Sequence, residues 1–136
     1  MAKKKPAQGA DAALCPCGSG ALYAACCGRY IDDFINTPAP DAQQLMRSRY
    51  TAFVQERAAY LMATWHVGHR PQTLDFSPSC QWLGLEVKDF VQTGDGTAEV
   101  EFVARHRVAG RAVRLHERSR FVYEEGRWFY TDGDQS

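Results

Sequence analysis

Four of the five cysteines lie between positions 15 and 27, as Cys15-Pro16-Cys17 and the adjacent pair Cys26-Cys27. Thiolates serve as nucleophiles, redox groups or metal ligands, so the spacing has to decide among these chemistries. A C-x-C pair can supply two corners of a tetrahedron from one turn, and a second pair can supply the other two. Zinc takes four such sulfur donors at about 2.3 Å. Gly18 and Gly20 let the backbone adopt positive φ and turn N–H groups toward the thiolates. Ala21 to Ala25 is expected to form a helical turn that returns Cys26 and Cys27 to the metal. The expected site is one zinc ion held by Cys15, Cys17, Cys26 and Cys27. Four protein thiolates leave no open coordination position, so the metal is read as structural and zinc catalysis is argued against.

Other thiol chemistries fit the spacing less well. Adjacent cysteines bridge each other only with strain, and a reducing compartment opposes disulfides altogether. A redox dithiol at Cys15 and Cys17 would leave Cys26 and Cys27 unexplained. Iron–sulfur ligation uses the same four donors, but the close packing of the two pairs suits a mononuclear ion better.

The cysteine segment, residues 13–30, is too short to build a core of its own and needs such a staple. Around it the chain reads as distinct pieces. Residues 1–12 carry three of the four lysines and no apolar periodicity, and are expected to form a disordered, solubilising tail. Pro38-Ala39-Pro40-Asp41 is a helix start with Asp41 as N-cap. Leu45, Met46, Tyr50, Phe53 and Val54 then recur at helical steps, as do Tyr60, Leu61 and Trp65. These predict helices over about 42–55 and 57–65. Beyond Pro71 the period changes to two. Leu83, Leu85, Val87 and Val91 are expected on one face of a first strand, and Ala98, Val100, Phe102, Ala104 and Val108 on one face of a second. A third, over 112–123, carries Val113, Leu115, Phe121 and Tyr123, and Arg127 to Thr131 closes the sheet. Turns at Gly94-Asp95-Gly96, Ala109-Gly110 and Glu125-Gly126 are short, so the strands form an antiparallel meander. Helices first and strands second give an α+β class, helices packed on one sheet face.

One feature of the third strand bears on function. Its inward face reads Val113, Leu115, Glu117, Ser119, Phe121, Tyr123, so two polar residues interrupt an apolar row. A buried carboxylate must be paired or protonated. Two readings follow. In one, Glu117 ties the sheet to the helix through a salt bridge to Arg47 or Arg49. In the other, it is a base or ligand anchor in an interior pocket with Tyr50, Trp65, His66 and Ser119 nearby. His66 and His69 follow a helix and are read as helix-end residues. His106 and His116 are expected to be ordinary sheet residues that could face each other, and Cys80 a small packed residue. No nucleophile–base pair can be read from the spacing, so a non-catalytic chain is favoured.

The stretch from Cys15-Pro16-Cys17-Gly18-Ser19-Gly20 through Tyr23 to Cys26-Cys27-Gly28 resembles the SEC-C motif, the small zinc module of the SecA preprotein-translocation ATPase. That module docks a chaperone and the ribosome. Its spacer is often lysine-rich, whereas Ala21-Leu22-Tyr23-Ala24-Ala25 carries no charge. The rest of the chain is similar to the YchJ-like family of small bacterial proteins. The likeness is carried by Leu45-Met46-Arg47-Ser48-Arg49-Tyr50-Thr51-Ala52-Phe53, Tyr60-Leu61, Thr64-Trp65-His66, Trp82-Leu83-Gly84-Leu85, Val100-Glu101-Phe102-Val103-Ala104 and Leu115-His116-Glu117-Arg118-Ser119-Arg120-Phe121. It implies a nuclear-transport-factor-2-like domain over 38–133: a curved antiparallel sheet closed by helices into a cone. Such cones host enzymes, binding modules and dimerisation domains alike.

The bulk numbers exclude several classes. At 136 residues, 45% hydrophobic and 24% charged, the chain is an ordinary globular domain with a small appendage. Sixteen basic and sixteen acidic residues cancel, which argues against a nucleic-acid partner. Over 97–136 seven arginines meet seven acids, a mixed surface rather than a basic stripe. No apolar run approaches the ~20 residues of a membrane span, and Met1-Ala2-Lys3-Lys4-Lys5 has no apolar stretch behind it to make a signal peptide. The expected compartment is the cytoplasm. The expected role is a zinc-binding docking protein. The resemblance implies a SecB-like chaperone, the translocation machinery or the ribosome as partner, and a homodimer through the sheet face. The alternative is an enzyme or small-molecule-binding protein using the cone around Glu117. A filled cone with Glu117 bridged to arginine would exclude that alternative; a deep apolar cavity with Glu117 unpaired would favour it.

Overall fold

Asp41 opens the main helix as its sequence dictates: the side chain accepts the Gln44 N–H at 2.7 Å, satisfying one of the orphan donors of the first turn. The computed structural model describes residues 13–136; the expected tail, 1–12, lies outside the described residues. A 3₁₀ turn at Tyr23–Ala25 and a short helix α1 at Gly28–Ile31 follow the cysteines. Helix α2 spans Ala42–Val54 and α3 spans Ala58–Ala63. Between them Glu56 takes a left-handed φ of 56°, which ends α2.

Four strands follow: β1 Cys80–Gly94, β2 Thr97–Val108, β3 Arg111–Glu124 and β4 Arg127–Gln135. They pair antiparallel in the order β1-β2-β3-β4, the meander that the short connections predict. Ala109-Gly110 and Glu125-Gly126 all have positive φ. Two successive positive values make a type I′ turn, whose twist matches that of the strands it joins.

Three expectations need correction. β1 does not hold one alternation. Its register against β2 shifts between Trp82 and Gly84, between Val87 and Asp89, and between Gln92 and Gly94. Each shift inserts an extra residue and exchanges the faces downstream. Trp82, Leu85, Val87 and Phe90 therefore pack on the core, while Leu83 and Val91 are 45% and 40% exposed. Helix α3 is shorter than 57–65 because β4 captures its end. The Tyr130 N–H donates to the Thr64 carbonyl at 2.9 Å and the His66 N–H donates to the Tyr130 carbonyl at 2.8 Å, with Trp65 bridging parallel to Tyr130. β4 runs past Thr131 to Gln135, and Thr131 is the extra residue at the shift between Arg120 and Phe121.

The core lies between α2 and the concave face of the sheet. Leu45, Met46, Tyr50 and Ala52 meet Val100, Phe102, Ala104 and Phe121. The opposite sheet face is a ladder of ion pairs. Arg118 donates to Glu99 at 2.6 Å, to Glu101 at 3.1 Å and to Asp89 at 3.2 Å, tying three strands together. Arg120 reaches Asp132 and Asp134, each at 2.8 Å. Two of the sheet arginines, Arg118 and Arg120, are thus spent on neighbouring acids. No helix among the described residues is long and apolar enough to cross a membrane.

Candidate metal centre and interior cavity

The four cysteines come together. Cys15, Cys17, Cys26 and Cys27 are buried, and their sulfurs lie within 4.8 Å of one another. The Cys17 and Cys26 sulfurs are 3.6 Å apart, close to the ~3.8 Å edge of a tetrahedron with 2.3 Å arms. Gly18 and Gly20 adopt φ of 81° and 90°, the conformations the tight turn requires. The Cys15 N–H donates to the Ala21 carbonyl at 2.8 Å and the Gly18 N–H to the Cys15 carbonyl at 3.2 Å, closing the loop. Ser19 accepts the Ala21 N–H at 3.2 Å and places its hydroxyl 3.1 Å from the Cys26 sulfur, a donor in the shell around the ligands.

Crowding sets the thiols against one another. Hydrogen bonds from Cys15 and Cys27 hold the Cys17 thiol far below its ordinary range. Hydrogen bonding with Cys15 and Cys17, then burial, pushes the Cys27 thiol far above it, and burial raises Cys26. Four buried thiols cannot all ionise beside one another unless a shared cation balances them. Donor type, number, burial and separation all fit a four-coordinate soft metal ion.

The knuckle is welded to α2. The Cys15 sulfur lies 3.6 Å from the Thr51 hydroxyl, Arg47 Nη1 donates to the Cys17 carbonyl at 3.0 Å, and the Tyr23 hydroxyl donates to Gln55 at 3.3 Å. A Cβ on Gly28 would come within 2.7 Å of the Tyr23 carbonyl and 2.8 Å of its ring. The glycine is therefore required by close approach of Tyr23, which is itself buried.

The second group of expected site residues divides. Arg47 faces the knuckle, not the cone. His66 lies toward the surface and pairs with Glu124 at 3.0 Å. His106 and His116 do not oppose each other, since His106 pairs with Val113 and His116 with Val103. Arg49, Tyr50, Trp65, Glu117 and Ser119 do line one cavity of about 290 Å³ between α2 and the sheet, with Trp82, Phe102 and Tyr130 among its walls. The expected salt bridge from Glu117 to Arg47 or Arg49 does not form among the described residues. Glu117 Oε2 accepts instead from Ser119 at 2.6 Å and Tyr130 at 3.1 Å. Arg49 Nη1 donates to the Leu61 carbonyl at 2.8 Å and the Thr64 hydroxyl at 2.7 Å. Its guanidinium lies over the rings of Trp65 at 5.2 Å and Tyr130 at 4.7 Å. Burial brings its pKa down to about 10, so it stays charged at neutral pH.

Sequence reasoning missed Tyr130 and Gly133. A Cβ on Gly133 would stand 2.7 Å from the Glu117 carboxyl carbon, so the missing side chain is what lets Glu117 lie flat across β4. The local signal was a glycine in the middle of a strand.

Comparisons with known proteins agree with this architecture. Residues 13–29 match the SEC-C motif and residues 41–133 match the family described as YchJ, middle NTF2-like domain. A UPF0225 protein from a Polaromonas species is 60% identical, over 95% of this chain and 98% of its own. One from Bordetella pertussis is 52% identical, over 97% and 98%. Among solved structures, a SEC-C motif containing protein from Rhodopseudomonas palustris superposes with a TM-score of 0.79 at 31% identity, covering 90% of this chain and 98% of that one. A second, from Psychrobacter arcticus, gives 0.78 at 28% identity, covering 93% and 85%. A four-cysteine knuckle packed on a helix-and-meander cone, matched along nearly its whole length, places this chain in the YchJ-like UPF0225 family, with an N-terminal SEC-C motif and an NTF2-like domain.

Proposed function

We propose that this chain is a cytoplasmic zinc protein whose knuckle is a docking element carried on the cone. The observation that carries the reading is the buried set of four sulfurs within 4.8 Å. Zinc suits it because the donors are all thiolates, in a compartment that keeps thiols reduced. Zinc there supplies folding energy and charge balance rather than chemistry, since four protein ligands close its coordination shell. Leu14 and Leu22, paired across the knuckle and exposed, present apolar surface beside the metal. By likeness to the SEC-C motif, the partner is a chaperone, a translocation factor or the ribosome.

Metal analysis by mass spectrometry on protein purified without chelator tests the first half. One zinc per chain is expected, lost or weakened on Cys→Ser change at 15, 17, 26 or 27. Absence of metal, or iron with visible absorbance, would refute it. Pulldown with the zinc-loaded chain tests the second half. Recovery of none of the three partner classes would refute docking while leaving the metal assignment standing.

A further inference from the structure

The interior cavity is separate from the cysteines, and what it offers does not depend on the docking reading. Half of its lining residues are aromatic, yet two opposite charges open onto it. Arg49 is only 6% exposed. Its Nη1 has two neutral acceptors, and its guanidinium lies over the rings of Trp65 and Tyr130. Nε and Nη2 have no partner among the described residues, and the guanidinium lines the cavity. Glu117, 8% exposed, has the complementary arrangement. Both of its donors, Ser119 and Tyr130, reach the same oxygen, Oε2, which leaves Oε1 without a partner among the described residues. Tyr130 touches both charges, its ring under Arg49 and its hydroxyl on Glu117, but they do not pair with each other.

Buried charges are ordinarily neutralised by a counter-charge. Here each is met only by neutral groups, and both face one apolar space. A neutral ligand would leave each without a direct ionic partner. A simple carboxylate would satisfy Arg49 but repel Glu117, and a simple amine would do the reverse. About 290 Å³ is at the small end of ligand pockets, ~300–1,000 Å³. We propose that the cone binds a small zwitterion of the α-amino-acid type with a flat apolar side chain. Its carboxylate lies against Arg49, its ammonium against Glu117 Oε1, and its side chain among Tyr50, Trp65 and Trp82. Gly133 belongs to this site because it makes room for the Glu117 carboxylate.

Calorimetric titration of the metal-loaded full chain tests this without any variant, using L-phenylalanine and L-tryptophan beside 3-phenylpropionate and phenethylamine. The amino acids are expected to bind about tenfold or more tightly than either single-charge analogue, as a charge-assisted hydrogen bond predicts. Their binding should shift the NMR signals of Trp65, Trp82 and Tyr130. Glu117→Gln keeps an acceptor for Ser119 and Tyr130 and should fold. It is expected to bring phenylalanine to within about threefold of phenylpropionate, and Gly133→Ala, which displaces the carboxylate without removing its charge, should do the same. No saturable shift at the cavity with either amino acid, or single-charge analogues binding as well as the zwitterions, would overturn the proposal.

Discussion

Gly28 shows how much can rest on one missing side chain. Tyr23 packs directly against that backbone, and overpacking a tight contact costs about 1–3 kcal/mol. Gly28→Ala is therefore expected to lower the thermal midpoint and to speed metal loss to a chelator, both readable in one melting series. An unchanged melting curve would mean that Tyr23 is not the anchor described. At this scale the metal site was legible in the sequence because its ligands are neighbours along the chain and their type restricts the chemistry. The cavity was legible only in part. Glu117 and Ser119 stand out as polar interruptions of an apolar row, but their partner Tyr130 comes from another strand and nothing local marks it. Composition alone makes Arg47 and Arg49 equivalent, although residues two apart on a helix project to nearly opposite sides at 3.6 residues per turn. One consequently grips the knuckle and the other enters the cone.

Helix α2 is the element that joins the two sites. Its Arg47 donates to Cys17 while Arg49 faces the cavity, so a change at one end can be read separately from the other. Arg47→Ala removes a charged hydrogen bond worth ~1.5–3 kcal/mol. The expected result is faster metal release to a chelator, with the NMR signals of the cavity aromatics unmoved. Movement of those signals would show that α2 transmits the change. On β3 and β4, Arg120 holds the carboxyls of Asp132 and Asp134 below their ordinary value of 3.8. A lowered folded value means that the pairing contributes above about pH 3.8 and is lost as pH falls through the lowered values. Carboxyl NMR titration should therefore find both midpoints below 3.8, so that each group is more than half ionised at that pH. Ordinary titration would dissolve the clasp. Helix positions and the meander were legible from periodicity and turn residues. The faces of β1 were not, because a bulge changes phase without changing composition.

For the whole molecule, the knuckle and the cone share one core: the four cysteines, Tyr23, Tyr30 and Ile31 are packed in the same cluster as Leu45, Met46 and Tyr50. The sequence suggests an appendage that could be stripped from a folded cone. The packing predicts otherwise, since metal binding to such a cluster is folding free energy. Removing the metal should lower the melting temperature of the entire domain in one transition, followed by circular dichroism of the sheet. A cone that melts unchanged while the knuckle unfolds alone would contradict the shared core. The three register shifts in β1 bear on something further. β1 is an open border of the sheet, fifteen residues long, and an uninterrupted border of that length invites strands from other molecules. Its kinks, together with the exposed charges of Glu86 and Lys88, deny a second chain a straight template. The same irregularities that hide the inward face of β1 from a reader of the sequence thus guard the protein against stacking into fibres, a protection that the β4 border obtains from residues 64–66.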